Sequence, residues 1–278
     1  MNTFYILNGE IEKLESLTKQ GFDVFAIRNT VHETIRLYDT KPLFLAEHLD
    51  HIRNTLQILQ IAPPTYFDNQ RISRYITRLL NVNKVYKGGI CTIVVFVNNN
   101  QTQCAIFIES LKELDFTYNL DGYKLGIESS LSIGPPYFQS ECSTHNLVPQ
   151  IAKTIISKND FDAVCYFSIQ NSIIHSSEGD IFYCSEDVFH IISSNKNHLR
   201  NPLTDFLISE LKKKGYKIKE TTVCSENDLL RADEIFLVNH ISGIRWVSRI
   251  NDTFFGFKHS KKIFHLLVKN IEQLSKSI

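Results

Sequence analysis

Leu45, Leu49, Ile52, Leu56 and Leu59 recur at alternating intervals of four and three, which places them on one face of a helix and predicts that this face is core. Leu203, Phe206, Leu207 and Leu211 form a similar stripe behind Asn201 and Pro202, residue types expected at a helix N-cap and first turn. A further helix is predicted over residues 147–157. Other segments read as strands. Residues 90–97, 104–109, 124–128, 163–167 and 235–238 are short runs rich in β-branched and aromatic side chains, bounded by Gly, Asn or Asp. Asn98, Asn99 and Asn100 separate the first two, a composition that favours a hairpin.

Helices and strands do not alternate regularly, so a doubly wound parallel sheet is not expected, and mixed α+β layers fit better. Residues 111–121 follow a strand and lack periodicity, the pattern of a linker. They divide the chain into an N-terminal α+β domain over residues 1–117 and a C-terminal α+β domain over 118–278.

Composition narrows the function classes. With 43% hydrophobic and 22% charged residues the composition is that of a packed globular protein, and a wholly disordered chain is excluded. Thirty basic residues balance 30 acidic ones, which leaves no global field to draw in nucleic acid or an anionic membrane. The first residues show no basic segment followed by an apolar run, and apolar stretches such as residues 93–97 are far too short to span a bilayer. A cytoplasmic protein is expected. The six cysteines are dispersed with no CxxC pair, so reduced and mostly buried thiols are expected, and no cysteine zinc site.

The common dinucleotide, P-loop, serine-hydrolase and zinc-protease motifs are absent. His48 and His51 sit three apart on the predicted helix, a spacing able to chelate a metal. No third ligand can be named from the sequence, and packed or solvated histidines are the expectation. Cys142, Ser143 and His145 place nucleophiles near a base, but on an extended segment Cys142 and His145 point to opposite faces. Lys212, Lys213 and Lys214 close a helix, where cations complement its dipole. The helix start at Asn201 is of the kind that can bind an anion, though most such termini bind water or a capping side chain.

The order of several segments adds a resemblance. His32-Glu33-Thr34-Ile35-Arg36 followed by Glu47-His48-Leu49-Asp50-His51 resembles the opening of class IV aminotransferases, where Phe-Glu-Thr-hydrophobic-Arg precedes a helix bearing His-x-x-Arg. Ala232-Asp233-Glu234-Ile235-Phe236-Leu237-Val238-Asn239 and then Ser242-Gly243-Ile244 resemble the family's late strand and glycine loop, in the form found in aminodeoxychorismate lyase. The family comprises pyridoxal-phosphate enzymes of fold type IV, and nearly the whole chain can be laid on it. A two-domain fold type IV architecture is therefore expected, together with the family's homodimer.

The same resemblance shows departures. Ser143-Thr144-His145-Asn146 falls where the family has Lys-Thr-x-Asn, and a serine cannot form the Schiff base that this lysine makes with the cofactor. His175 stands where a glutamate holds the pyridinium nitrogen. His51 stands where an arginine grips the phosphate, and Arg53 is the nearby residue that could restore the charge. Asn201-Pro202-Leu203 replaces a Gly-Ile-Thr helix start whose backbone N–H groups hold the phosphate, and proline has no N–H. The late loop at Asn239 and His240 is a further source of backbone donors.

The resemblance thus implies a homologue that has lost Schiff-base catalysis and carries no cofactor. Its old cleft, with His51, Ser143, His175, Pro202, Leu203, Asn239 and His240 as ligand-binding positions, is left to a different small molecule, or the protein acts through a partner. The alternative is an active pyridoxal-phosphate lyase or aminotransferase with a displaced lysine, for which Lys153 is the nearest downstream candidate. A third class is an enzyme using Ser143, His145 or His175 on an unrelated substrate.

Overall fold

The computed structural model describes residues 3–19, 28–111, 115–128, 131–133, 148–192 and 200–277. They form two compact units; the chain passes from the first to the second between Asp115 and Phe116, and the residues from Ser275 on, at the end of the last helix, are grouped with the first.

The first unit contains β1 (Phe4–Leu7), β2 (Glu10–Lys13), α1 (Leu14–Lys19), β3 (Arg28–Tyr38), β4 (Lys41–Pro42), α2 (Leu45–Ile58), α3 (Asn69–Asn83), β5 (Gly89–Asn98) and β6 (Gln101–Ser110). Its six strands make one antiparallel sheet in the order β2-β1-β6-β5-β3-β4. The asparagine-rich connection is a two-residue hairpin: Asn98 pairs with Gln101, and Asn99 and Asn100 both take positive φ, 49° and 59°. Asparagine tolerates that region, and a turn of this hand matches the twist of the strands.

The predicted stripe of α2 is buried at Leu49, Ile52 and Leu56. In α3, capped by the Asp68 side chain on the Arg71 N–H, the buried positions are Ile72, Ile76, Leu79 and Leu80. These join Val31, Ile35, Cys91, Ile93 and Ile106 of the sheet in one apolar core. β3 thereby presents its odd-numbered side chains to the helices, and Glu33 falls between Val31 and Ile35 on that face.

The second unit contains β7 (Tyr123–Gly126), β8 (Ser132–Ile133), α4 (Val148–Asn159), β9 (Ala163–Ser168), β10 (Ile173–Ser176), β11 (Asp180–Ser185), β12 (Val188–Ile192), α5 (Pro202–Lys213), β13 (Lys217–Thr221), α6 (Glu226–Leu230), β14 (Glu234–Asn239), β15 (Gly243–Ile250), β16 (Thr253–Phe254) and α7 (Lys258–Ser277). Its sheet runs β10-β9-β7-β15-β14-β11-β12-β13, with β16 on β15 and β8 on β9. Parallel pairs (β7 with β9 and β15, β12 with β13) are mixed with antiparallel ones. Cys165, Ile181, Ile235, Leu237 and Val247 fill its core.

Two local devices position this sheet. Gly179, at φ +129°, closes the turn from β10 to β11, and a Cβ there would meet the Val238 carbonyl oxygen at 2.2 Å. Only glycine allows β14 to approach so closely. The buried Glu234 carboxylate receives the N–H groups of His259 (2.8 Å) and Ser260 (2.9 Å), which fastens the start of α7 to β14.

Candidate functional site

In the first unit, β3 and α2 bring three potential ligand groups together. Glu33 interrupts the apolar face of its strand, and the i, i+3 spacing of His48 and His51 turns both imidazoles toward it. Glu33 Oε1 lies 2.6 Å from His48 Nδ1 and 3.5 Å from His51 Nδ1. His48 is 1% exposed and Glu33 7%, while the His51 side chain keeps partial access to solvent. Glu33 is the third group that sequence spacing does not reveal, because it stands fifteen residues from His48 and reaches it only through strand–helix packing. Arg53 is engaged elsewhere: its guanidinium donates to Asp50 and Asn69 and lies 5.8 Å from the centre of the Phe67 ring.

In the second unit, His175 lies on β10 beside a register shift in its pairing with β9. Its Nε2 is 3.3 Å from Oδ1 of Asp180, the first residue of β11, and its ring stacks on Tyr166 at 6.2 Å. Both His175 and Asp180 are buried. Asp180 comes within reach because the chain reverses at Gly179, so a pair five residues apart in sequence becomes a contact. Burial pushes the neighbouring Glu178 carboxyl up from its ordinary value, against the pull of Arg245.

The α5 start has already assigned its donors. Asn201 is the N-cap, and its side chain accepts the Leu203 N–H at 2.9 Å. Pro202 has no N–H, and the Thr204 N–H is bonded to the Asn201 carbonyl at 2.9 Å. The Thr204 hydroxyl is fully buried without a hydrogen-bond partner. At the end of β14, Asn239 Oδ1 accepts the N–H groups of Ile241 (2.8 Å) and Ser242 (3.2 Å). His240, between them in sequence, is half-buried. At both places an asparagine side chain occupies the backbone donors.

Ser143 and the rest of the Cys142-to-His145 cluster lie outside the described residues. Lys153 is exposed on α4, and no lysine is among the buried residues of the described chain.

The model of the family described as amino-transferase class IV matches residues 30–250. The fold is similar to that of a branched-chain amino acid aminotransferase (M3 mutant) from Thermobaculum terrenum, with TM-score 0.81 and 15% identity over 96% of this chain and 92% of the other. It is similar as well to a branched-chain aminotransferase with norvaline from Thermoproteus uzoniensis, with TM-score 0.80 and 15% identity over 95% and 93%. A protein provisionally assigned as a 4-amino-4-deoxychorismate lyase, from Legionella pneumophila, gives 0.76 and 17% over 89% and 93%. No curated protein sequence matches.

Proposed function

The chain belongs to the class IV aminotransferase family, and from that premise we propose that it is a member without Schiff-base catalysis, whose second unit serves a small molecule other than pyridoxal phosphate. The observation that carries this reading is the self-occupation of both backbone donor sets. A phosphate at the α5 start or at the β14–β15 loop would have to displace Asn201 from Leu203, and Asn239 from Ile241 and Ser242, before gaining those backbone hydrogen bonds.

The remaining positions agree. His175 lies 3.3 Å from Asp180, and an imidazole at this position does not supply the carboxylate that a protonated ring nitrogen requires. Ser143 cannot form an imine. Lys153, the candidate for a displaced lysine, is a solvated side chain on α4. The residues present therefore do not fit pyridoxal phosphate. Within the second unit, His175, Pro202, Leu203, Asn239 and His240 are the positions proposed to shape the altered site.

The same reading keeps the family's homodimer and a cytoplasmic location. Buried free cysteines among the described residues suit a reducing compartment, and no described helix is long and apolar enough to cross a membrane. Light scattering at micromolar concentration should return about twice the single-chain mass of 32.1 kDa. A monomer mass would remove the dimer from the proposal.

The direct test is titration of the purified full-length protein with pyridoxal phosphate, followed by dialysis and an absorbance spectrum. We expect no band that survives dialysis and disappears on borohydride reduction. Such a band would overturn the reading and return the protein to the active class.

A further inference from the structure

We infer that Glu33, His48 and His51 form a binding site for one divalent transition-metal ion of the zinc class, contained within the first unit. Nothing in the reading of the second unit requires this site, and its test does not involve pyridoxal phosphate.

The geometry is specific. The three ligand atoms lie within 4.8 Å of one another. Two nitrogens about 2.0–2.1 Å from a tetrahedral ion stand roughly 3.3 Å apart, the edge of the coordination polyhedron. The His51 Nδ1 to Glu33 Oε1 distance of 3.5 Å is close to that edge and long for a hydrogen bond. The His48 contact of 2.6 Å is a hydrogen bond as it stands and would open by about 0.7 Å on metal entry. The imidazole planes cross at 72° with ring centres 6.1 Å apart, so the in-plane lone pairs of the two rings are directed along different axes.

The chemistry and the burial agree with the geometry. Two imidazoles and one carboxylate are a borderline donor set that suits zinc and its first-row neighbours, and a three-residue set leaves a coordination position for water. Glu33 and His48 are embedded among Val31, Ile35, Leu49 and Ile52, which hold the ligand-bearing backbone rigid. His51, with its side chain 15% exposed, gives the ion a way in. The residue type at position 51 matters: an arginine there would bring a fixed cation and no lone pair, whereas an imidazole nitrogen can serve as a ligand.

The experiment uses the full-length protein, stripped with a chelator and titrated with Zn(II) by calorimetry, then with Co(II) to read the ligand-field spectrum. We expect one ion per chain, a rise in Tm on binding, and a Co(II) band of low coordination number. His51→Ala should weaken Zn(II) binding by more than about 100-fold, because loss of an outer-shell partner alone costs 10–100-fold. Since His51 is at the rim, this variant should fold, which circular dichroism checks. His51→Arg should abolish binding, and His265→Ala, at an exposed position on α7, should leave it unchanged. Absence of saturable Zn(II) binding, or equal binding by wild type and His51→Ala, overturns the inference and leaves Glu33 and His48 as a hydrogen-bonded pair.

Discussion

The Asn201 side chain accepts the N–H of Leu203 at 2.9 Å, so the first turn of α5 is closed by its own cap. Pro202 contributes to the same closure, since its fixed φ favours the first helical turn and its missing N–H removes a donor that would otherwise need a partner. Sequence features that make a good helix start here are those that make a poor phosphate cup.

Removing that cap should have a stability cost that is separable from any ligand effect. Asn201→Ala is expected to destabilise the protein by about 1 kcal/mol, the usual worth of an asparagine N-cap. Urea denaturation should show a lower midpoint with an unchanged slope. An unaltered midpoint would mean that the Leu203 N–H finds another acceptor.

Restoring the lysine alone should not restore chemistry. The Ser143→Lys variant would still carry His175 beside Asp180 in place of a ring-nitrogen carboxylate, and donors at Leu203, Ile241 and Ser242 already bonded within the chain. Turnover of amino-acid substrates should stay at background. Activity well above background in this single variant would show that the asparagine-held donors yield readily to phosphate.

The fold was legible in the sequence wherever one apolar period ran unbroken. α2 spans Leu45–Ile58 and β5 spans Gly89–Asn98, both within a residue or two of their predicted limits. β3 is harder to recognise, because Glu33 sits on its core face and spoils the alternation of Val31, Ile35 and Leu37. The residue that hides the strand is the one that completes the His48 and His51 cluster. α3 and α7 carry their signals, at Ile72, Ile76 and Leu79 and at Ile263, Leu267 and Ile271, but among many basic and amide residues. Asp180 could not be paired with His175 without the turn at Gly179, and the role of Asn239 depends on a loop conformation that composition does not specify.

The described thiols should be inert in the folded protein. Burial pushes Cys91 and Cys165 far above the ordinary thiol value, Cys104 and Cys224 up to about 12, and Cys184 up to about 11. At pH 8 a thiol of pKa 12 is about one part in ten thousand thiolate, the reactive form. Ellman's reagent should therefore leave at least five of the six cysteines unmodified in native buffer, and all six should react in guanidinium. Rapid reaction of two or more native thiols would contradict the burial.

His32 makes the protein less tolerant of mild acid. It lies on β3 opposite Val94 of β5, and its Nδ1 is buried without a hydrogen-bond partner. Burial lowers its pKa from 6.5, and the adjacent Glu33 only partly opposes the shift. Above pH 6.5 the ring is neutral in both folded and unfolded chains, and the full stability is present. As pH falls below 6.5 the unfolded chain takes up the proton first, so this contribution is lost progressively until pH passes the lowered folded value. His32→Phe, which also supplies the residue found at this position in the family motif, removes both the proton site and the unpartnered nitrogen. It should raise stability by about 1 kcal/mol at neutral pH and flatten the acid slope between pH 6.5 and 5 by about a few tenths of a kcal/mol per pH unit, a small effect because the ring is partly exposed. Urea midpoints for wild type and variant at several pH values in that range would give both quantities, and parallel curves would remove His32 as the source of the acid sensitivity.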